Sequence, residues 1–270
     1  MMIFLHIPKT AGTTFQFILE NSLGVRHCHA GHLGRKVVSQ QDLEFARRYF
    51  PWMHSIAGEN LVAPWRLAAP DPFYMTFLRE PVARVFSHYQ DTVLRGGNKK
   101  TFEETLRTNE EFENLHVKLL AGDRNLDRAK RFLEECGFVG LTERFDLSLH
   151  VLDRLSPQKL NLKYKRKLAA PDNSIKQSLA NDARLVEMTR EFNRLDLELY
   201  AFAVSEIFPR LCSKAGFHPQ DKVESYDHYA SEIKPTFLLH RLYNMTFFRQ
   251  VCKMRNKRER AERNAAAKTA

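Results

Sequence analysis

The chain has 270 residues, of which 43% are hydrophobic and 27% charged, a composition typical of one large globular domain or of one domain with an appendage. All its apolar runs are shorter than the roughly 18 residues that cross a membrane, and the amino-terminal residues lack the pattern of a signal peptide. Four widely spaced cysteines exclude a disulfide scaffold and a zinc framework, and the net charge of +10 is concentrated within residues 241–270.

Buried strands and helices alternate in the first part of the chain. Short apolar runs bounded by turn residues predict strands at residues 2–7, 54–62 and 73–78. Amphipathic or apolar segments predict helices from Phe15, over residues 41–50, and from Pro81 to about Arg95. The glycine- and histidine-rich residues 24–35 predict a loop.

The second half of the chain is mostly helical in pattern. FVGL at residues 138–141 predicts one more short strand, and residues 181–208 predict a long helix. Strands separated by helices imply an α/β fold with a parallel sheet and helices on its faces. Ligand sites in such sheets lie beyond the carboxyl ends of the strands. We expect a principal domain at residues 1–208 and a helical extension with a basic tail at residues 209–270.

The loop after the first strand has the composition of an anion site. It reads Pro8, Lys9, Thr10, Ala11, Gly12, Thr13, Thr14 and leads directly into a helix. A helix N-terminus has unpaired N–H groups and a partial positive charge. Gly12 lets the backbone approach a ligand, Lys9 adds a full charge, and the threonines add hydroxyl donors. These features predict a site for phosphate or sulfate.

A threonine N-cap is the simpler interpretation of this loop, but it explains neither the lysine nor the glycine. The pattern also differs from the GxxxxGK[ST] loop of common nucleotide hydrolases, because Lys9 precedes Gly12. This order argues against an ordinary ATPase or GTPase.

The nine residues HIPKTAGTT, from His6 to Thr14, resemble the 5′-phosphosulfate loop of sulfotransferases that use 3′-phosphoadenosine 5′-phosphosulfate (PAPS). The closest likeness is to the carbohydrate branch typified by heparan sulfate 2-O-sulfotransferase, within sulfotransferase family 2. The resemblance implies a P-loop-NTPase-like parallel sheet flanked by helices, with a helix-rich carboxyl-terminal half. It also implies PAPS as co-substrate, no metal, and residues 8–14 as donor ligands.

A second motif is needed for the 3′-phosphate of such a donor. TFLREPVARVFSHY, residues 76–89, places Arg79 at the end of a strand and Ser87 within the next helix. Arginine offers a bidentate fork to phosphate oxygens, and serine adds a hydroxyl. The stretch is similar to the family's 3′-phosphate motif, which implies that Arg79 and Ser87 bind that phosphate. Taken alone, Arg79 could instead pair with Glu80 or Glu143.

Weaker likeness continues to about residue 203. The segments at 114–122, 139–152 and 193–203 resemble later family segments, but their individual residues are best explained as core and helix caps. The basic segment at residues 161–174 is a candidate to close over the nucleotide.

Sulfuryl transfer needs a cation near the leaving phosphate and a base near the acceptor hydroxyl. Lys9 is the candidate cation. In the family the base commonly follows a glycine in a G-H segment, and the matching residue after Gly58 is Glu59. A carboxylate in a partly buried cleft has a raised pKa and can serve. His32 is the rival candidate, with His29 and His54 behind it.

The histidine cluster HCHAGH at residues 27–32 raises the question of a transition metal. Its ligands are crowded and no distant fourth ligand is indicated, so we expect no metal.

The tail from residue 236 predicts an amphipathic helix that becomes strongly basic. Docking of its aromatic half onto the domain and a solvated basic end is one interpretation. The other is attraction to an anionic membrane or an acidic polysaccharide. Nucleic acid is disfavoured because no recognised binding motif is present. We expect a cytoplasmic protein, peripheral to the membrane if the tail binds it.

The leading functional prediction is therefore a PAPS-dependent sulfotransferase that acts on a hydroxyl of a carbohydrate or glycolipid. Two alternatives remain: a kinase-like phosphotransferase, which would require magnesium, and a relative that binds nucleotide without turnover.

Overall fold

The structure, a computed structural model, describes residues 1–164, 173–228 and 233–269. Within these residues a single parallel sheet has the strand order β2-β3-β1-β4-β5. The strands are β1 (Met2–Leu5), β2 (His27–His29), β3 (Ser55–Gly58), β4 (Phe73–Leu78) and β5 (Phe138–Leu141). All residues of β1, β3 and β5 are buried, as expected of strands that are covered by helices on both faces of a sheet.

The register of the strands brings three chain segments to one edge of the sheet. Leu5, the last residue of β1, pairs with Gly58 at the end of β3 and with Thr76 of β4. Strand β4 continues to Leu78. The segments that follow β1, β3 and β4 therefore leave the sheet at the same edge, where parallel sheets bind their ligands.

Helices flank the sheet and make up most of the second half of the chain. They are α1 (Gly12–Leu23), α2 (Gln40–Tyr49), α3 (Pro81–Leu94), α4 (Phe102–Thr108), α5 (Leu115–Ala121), α6 (Leu126–Glu135), α7 (Phe145–Leu155), α8 (Ser174–Asn181), α9 (Ala183–Phe192), α10 (Arg194–Phe202), α11 (Phe208–Ala215), α12 (Pro235–Leu242) and α13 (Arg249–Thr269). Two π-helical turns join neighbours, Ala203–Ile207 between α10 and α11 and Tyr243–Phe248 between α12 and α13.

The predicted α/β class, with its parallel P-loop-like sheet and helix-rich carboxyl-terminal half, is confirmed. The prediction of a loop at residues 24–35 was wrong in part, because this segment contains β2, a three-residue edge strand paired with β3. The predicted helix at residues 181–208 is interrupted at Asn193, whose backbone leaves the helical conformation with φ −119° and ψ 30°.

Asn193 and Asp196 explain both this interruption and the likeness of residues 114–122 and 193–203 to family segments. The carboxylate of Asp196 accepts hydrogen bonds from the backbone N–H groups of His116 and Val117, each at 2.9 Å. The side chain of Asn193 accepts from the N–H of Asn114 at 3.0 Å. These groups cap the start of α5, so the expectation of capping roles is confirmed for these residues.

Helices α12 and α13 pack back onto the amino-terminal half of the chain. The Phe237 ring lies 5.4 Å from that of Phe17 on α1, and the Phe248 ring lies 4.9 Å from that of Phe50 after α2. In the described parts of the chain, the helices are all too short or too polar to cross a bilayer.

Candidate active site

The loop between β1 and α1 is held in a conformation that suits an anion. Lys9 and Ala11 have φ angles of 70° and 65°, in the left-handed region that non-glycine residues rarely adopt. Left-handed residues that alternate with right-handed ones turn successive N–H groups toward one side and form an anion-binding concavity. The strain at these two residues therefore points to a phosphate or sulfate group as the ligand of this loop.

Gly12 is required by a close approach within the same site. A Cβ atom on this residue would lie 1.8 Å from Cδ2 of His6, far inside van der Waals contact. His6 cannot easily move away, because it is 7% exposed and its ring stacks on Phe4 at 5.9 Å. The glycine therefore lets the first turn of α1 pack against the residue that follows β1.

The three threonines of the loop have different environments. Thr10 is fully buried and its hydroxyl donates to the carbonyl of Ile7 at 2.8 Å, so only its backbone is left for a ligand. Thr13 is exposed and faces a large cleft. Thr14 is buried in the first turn of α1. Pro8 and Ala11 are half-buried at the surface of the loop.

Arg79 joins the two predicted phosphate motifs. It follows β4, and its Nη1 atom donates a hydrogen bond to the carbonyl oxygen of Lys9 at 3.0 Å. Burial lowers the pKa of the Arg79 guanidinium, and the nearby Glu143 and Glu80 oppose this effect. Since the ordinary pKa of arginine is above 12, the group remains a cation. The structure thus brings Lys9 and Arg79 into one site.

The helix α3 adds Ser87 and a carboxylate that sequence reasoning missed. Asp91 lies one helical turn after the half-buried Ser87, on the same face of α3. Its Oδ1 atom is 3.4 Å from Nζ of Lys9 and 3.4 Å from Nε of Arg95. Burial lowers the pKa of Lys9, and Asp91 raises it. The carboxylate therefore holds the lysine ammonium at α3, close to the predicted 3′-phosphate serine.

Glu59 lies directly after β3, at the same sheet edge as the loop. Its Oε1 atom is 3.7 Å from Nδ1 of His6, just beyond hydrogen-bonding distance. Burial raises the pKa of the Glu59 carboxyl, Glu111 adds to the rise, and Lys9 opposes it. Because the side chain is 58% exposed, solvent screens part of these effects. A carboxylate here is a stronger base than an ordinary glutamate.

Two of the candidate histidines also lie near this edge. His29 is the last residue of β2 and His32 follows it; their rings are 4.7 Å apart, and both residues line the cleft that Thr13 faces. Burial lowers the pKa of His29 to about 3, and burial followed by Arg249 lowers that of His32. Both imidazoles are therefore neutral near pH 7, and each offers one nitrogen as a donor and one as an acceptor.

His54 lies elsewhere. It precedes β3 at the opposite edge of the sheet, and its Nδ1 atom is 3.2 Å from Oε1 of Gln158. The structure therefore separates His54 from the loop, and it is not a candidate for the base.

His6 is a residue of this site for which sequence reasoning assigned no role. Burial, and then the charge of Lys9, lower its pKa to about 4, so the imidazole is neutral near pH 7. The signal was present in the motif, because His6 begins the HIPK run. The role of His6 is visible only in the structure, where its ring packs against Gly12 and lies close to Glu59.

A cleft of about 890 Å³ opens beside the loop. Its floor contains His6, Thr13 and Glu59, and its far wall comes from the carboxyl-terminal helices, residues 233–249. That wall contributes Phe237, His240, Arg241, Asn244, Met245 and Arg249. The cleft is large enough for a sugar-sized molecule, and it is lined by both hydrogen-bonding and apolar groups.

The histidine cluster at residues 27–32 can be compared with the arrangement that a metal ion needs. Among them, no group of three or more histidine, cysteine, aspartate or glutamate side chains is arranged to hold a metal ion. The basic segment at 161–174, predicted to close over the nucleotide, falls largely outside the described residues.

Comparison with protein families identifies a match. The family model described as "Sulfotransferase family" matches residues 1–203, which includes both phosphate motifs and the sheet. No curated protein matches the chain. The matched region ends at α10 and Ala203, so the wall of the cleft formed by residues 233–249 lies beyond it.

Proposed function

The chain belongs to the sulfotransferase family, and from this premise we propose that it transfers a sulfuryl group from PAPS to a hydroxyl of a carbohydrate or glycolipid. The contact between Arg79 and the carbonyl of Lys9 is the observation that carries the proposal. It puts a strained, lysine-bearing loop and a half-buried arginine side by side. A donor that carries phosphates on the 3′ and the 5′ oxygens of one ribose needs two such anion sites close together.

The two motifs divide the donor between them in this proposal. Backbone N–H groups of the loop, with Lys9 and the hydroxyls of Thr13 and Thr14, hold the 5′-phosphosulfate. Arg79 and Ser87 hold the 3′-phosphate, the arginine through two parallel charge-assisted hydrogen bonds. The close approach permitted by Gly12 fits this assignment, because phosphate must come near the backbone.

The chemistry proposed for these residues is an in-line displacement at sulfur. PAPS supplies the sulfuryl group, whose bond to the 5′-phosphate oxygen breaks as a bond to the acceptor oxygen forms. Lys9 stabilises the charge that develops on the departing phosphate oxygen. Glu59 accepts the proton of the acceptor hydroxyl. The Lys9 ammonium lies 3.4 Å from Oδ1 of Asp91, and we expect it to turn from this carboxylate toward the departing oxygen when the donor binds.

Glu59 is preferred over His32 as the base for two reasons. Lys9 lowers the pKa of Glu59, and this interaction supports a position for the carboxylate near the loop that we propose to hold the phosphosulfate. The charge that acts on His32 is instead that of Arg249, on the far wall of the cleft. In addition, the Glu59 pKa is raised and the His32 pKa is lowered, so their basicities change in opposite directions.

Calorimetry with 3′-phosphoadenosine 5′-phosphate, the bisphosphate product, tests the donor site. We expect this bisphosphate to bind without magnesium and more tightly than ATP. Lys9→Ala and Arg79→Ala should each weaken binding about 10- to 100-fold, as expected for lost charge-assisted hydrogen bonds of about 1.5–3 kcal/mol. Arg184→Ala is the matched control, because Arg184 is exposed and pairs with Glu103.

A truncated ligand separates the roles of the two cations. Adenosine 5′-phosphate lacks the 3′-phosphate, so Arg79→Ala should change its affinity much less than Lys9→Ala does. Turnover is then measured as release of the bisphosphate from PAPS with a panel of neutral and acidic sugars. Tight, magnesium-dependent binding of ATP in place of the bisphosphate would favour a phosphotransferase. Binding of the bisphosphate with no release across the panel would favour a relative without turnover.

A further inference from the structure

The outward face of α12 and α13 carries large apolar side chains that the fold leaves in solvent. Leu239, Leu242 and Met254 are 60%, 61% and 64% exposed. Their neighbours Leu238 and Met245 are 59% and 53% exposed. Isolated exposed apolar residues are ordinary, but a run of them along one helical segment marks an interaction surface.

The opposite face of the same segment supplies the buried contacts that dock it on the domain. Phe237, His240, Asn244, Phe248 and Cys252 are buried at spacings of three and four residues. Leu239 and Leu242 lie between these positions and Met254 follows them, and all three side chains are exposed on the other side of the segment. The apolar outward face is therefore available to a partner.

Basic side chains accompany the apolar face. Arg249, Lys253 and Lys257 are exposed, and among the described residues no carboxylate is within ion-pairing distance of them. By contrast, Arg255 pairs with Asp42 and Glu259, on the side that faces the domain. A helix with apolar and unpaired cationic groups on one face matches the surface of an anionic bilayer.

Two other occupants fit this face less well. A second copy of the chain would bring its own cations against these, and like charges across an interface oppose association. A polynucleotide would pair with the cations but leave the leucines without apolar contact. An anionic membrane satisfies both kinds of side chain together.

The same segment forms the mouth of the cleft. Ile233 and Met245 line the cleft and are at the same time 54% and 53% exposed. Arg241 and Arg249 also line it. The apolar outward face therefore adjoins the opening of the cleft that contains Glu59.

We propose that α12 and α13 lie flat on an anionic membrane surface, with the mouth of the cleft against the lipid headgroups. The acceptor hydroxyl then belongs to a membrane lipid headgroup. This last consequence rests on the proposed sulfotransferase function, whereas the docking itself does not. Anionic lipids are concentrated on cytoplasmic leaflets, so the proposal puts the protein on that side of the membrane.

Vesicle co-sedimentation of the whole chain, without donor, tests the docking. The protein should bind vesicles of phosphatidylcholine with phosphatidylserine, should bind pure phosphatidylcholine far less, and should be released by salt. The variant Leu239→Ser/Leu242→Ser should bind about tenfold more weakly or worse. The variant Lys253→Gln/Lys257→Gln should lose a similar factor. Leu94→Ser, at a 50% exposed leucine on α3, is the control and should bind as the wild type does.

A fluorescent reporter tests the orientation. The native cysteines Cys28, Cys136, Cys212 and Cys252 are all buried, so an introduced surface cysteine can be labelled selectively. An environment-sensitive dye on Leu242→Cys or Met245→Cys should shift to the blue when anionic vesicles are added. The same dye on Leu94→Cys should not shift.

Several results would overturn the proposal. They are absence of binding to the anionic vesicles, equal binding by the serine variant, or equal blue shifts at all three labelled positions. A dimer in solution that the serine variant disperses, without vesicle binding, would assign the face to self-association. Circular dichroism of each variant shows whether it is folded. Since vesicle binding is measured without donor, its outcome is independent of turnover.

Discussion

Replacement of Gly12 by alanine is the sharpest test of how the anion loop is built. Gly12 is the first residue of α1 and its φ is not positive, so the backbone itself accepts alanine. The helix alone would gain about 0.5–1 kcal/mol from the exchange. Any loss of stability must therefore come from what the new methyl group meets.

The methyl group meets the ring of His6. Its Cβ would lie 1.8, 2.2 and 2.7 Å from Cδ2, Nε2 and Cγ of that ring, and ordinary contact begins near 3.4 Å. The ring would have to retreat by about 1.6 Å although it is buried against Phe4. Overpacking of this kind costs about 1–3 kcal/mol, and an overlap this large belongs at the upper end. After subtraction of the gain in helix propensity, we expect Gly12→Ala to lower the free energy of unfolding by about 2 kcal/mol.

A double-mutant cycle isolates this contact. In a His6→Ala background the methyl group has room, so Gly12→Ala should be neutral or slightly stabilising there. The coupling free energy should be about 2–3 kcal/mol, measured by urea unfolding. Gly97→Ala is the control, because Gly97 has a φ of +65° with nothing within 4 Å of an added Cβ. Its loss of about 1 kcal/mol should be the same with or without His6.

The contact between Gly12 and His6 should also affect binding of the bisphosphate. Gly12→Ala should weaken it at least about tenfold, because the displaced ring or helix turn opens the loop. If Gly12→Ala were as stable as the wild type and bound the bisphosphate equally well, the close approach would not be needed. If its loss were equal with and without His6, the clash would lie elsewhere and the reasoning from this contact would be wrong.

Three further predictions concern charges in and behind the site. Glu59→Gln should keep its bisphosphate affinity and lose about 10²–10⁴ in kcat. In the wild type, kcat/KM should rise with pH through the raised pKa of Glu59, because only the ionised carboxylate accepts a proton. The Glu59→Gln variant should lack this rise of kcat/KM with pH. If the variant kept the full rate and an unchanged pH profile, the role of the base would pass to His32. Asp91→Asn should bind the bisphosphate about three- to tenfold more tightly at low salt and less so at high salt, because it removes a negative charge 3.4 Å from Lys9; equal or weaker binding would contradict this. Asp196→Asn should lower the free energy of unfolding by about 1–3 kcal/mol, because its carboxylate accepts two buried N–H groups at 2.9 Å. The exposed Asp127→Asn should change that free energy by under about 0.5 kcal/mol, and similar losses in both variants would contradict the capping role of Asp196.

Sequence reasoning was reliable where the relevant residues are contiguous. The apolar runs at β1, β4 and β5 are long enough and sharply enough bounded by turn residues to be identified as strands. It failed at β2, where three residues of mixed polarity gain their extended form from pairing with β3. It also failed at Asn193, whose helical context is overridden by hydrogen bonds to Asn114 and Phe112.

The amino-acid sequence by itself determined the two anion motifs, because each is a strand end, a turn and a helix start within a few consecutive residues. The local chemistry of such a unit is the basis on which its ligand is predicted. Only the tertiary structure decided that Asp91 holds Lys9, that the His6 ring excludes a side chain at residue 12, and that residues 233–249 wall the cleft over Glu59. These contacts join positions far apart in the chain, and their distances depend on how the helices pack, which no local pattern encodes.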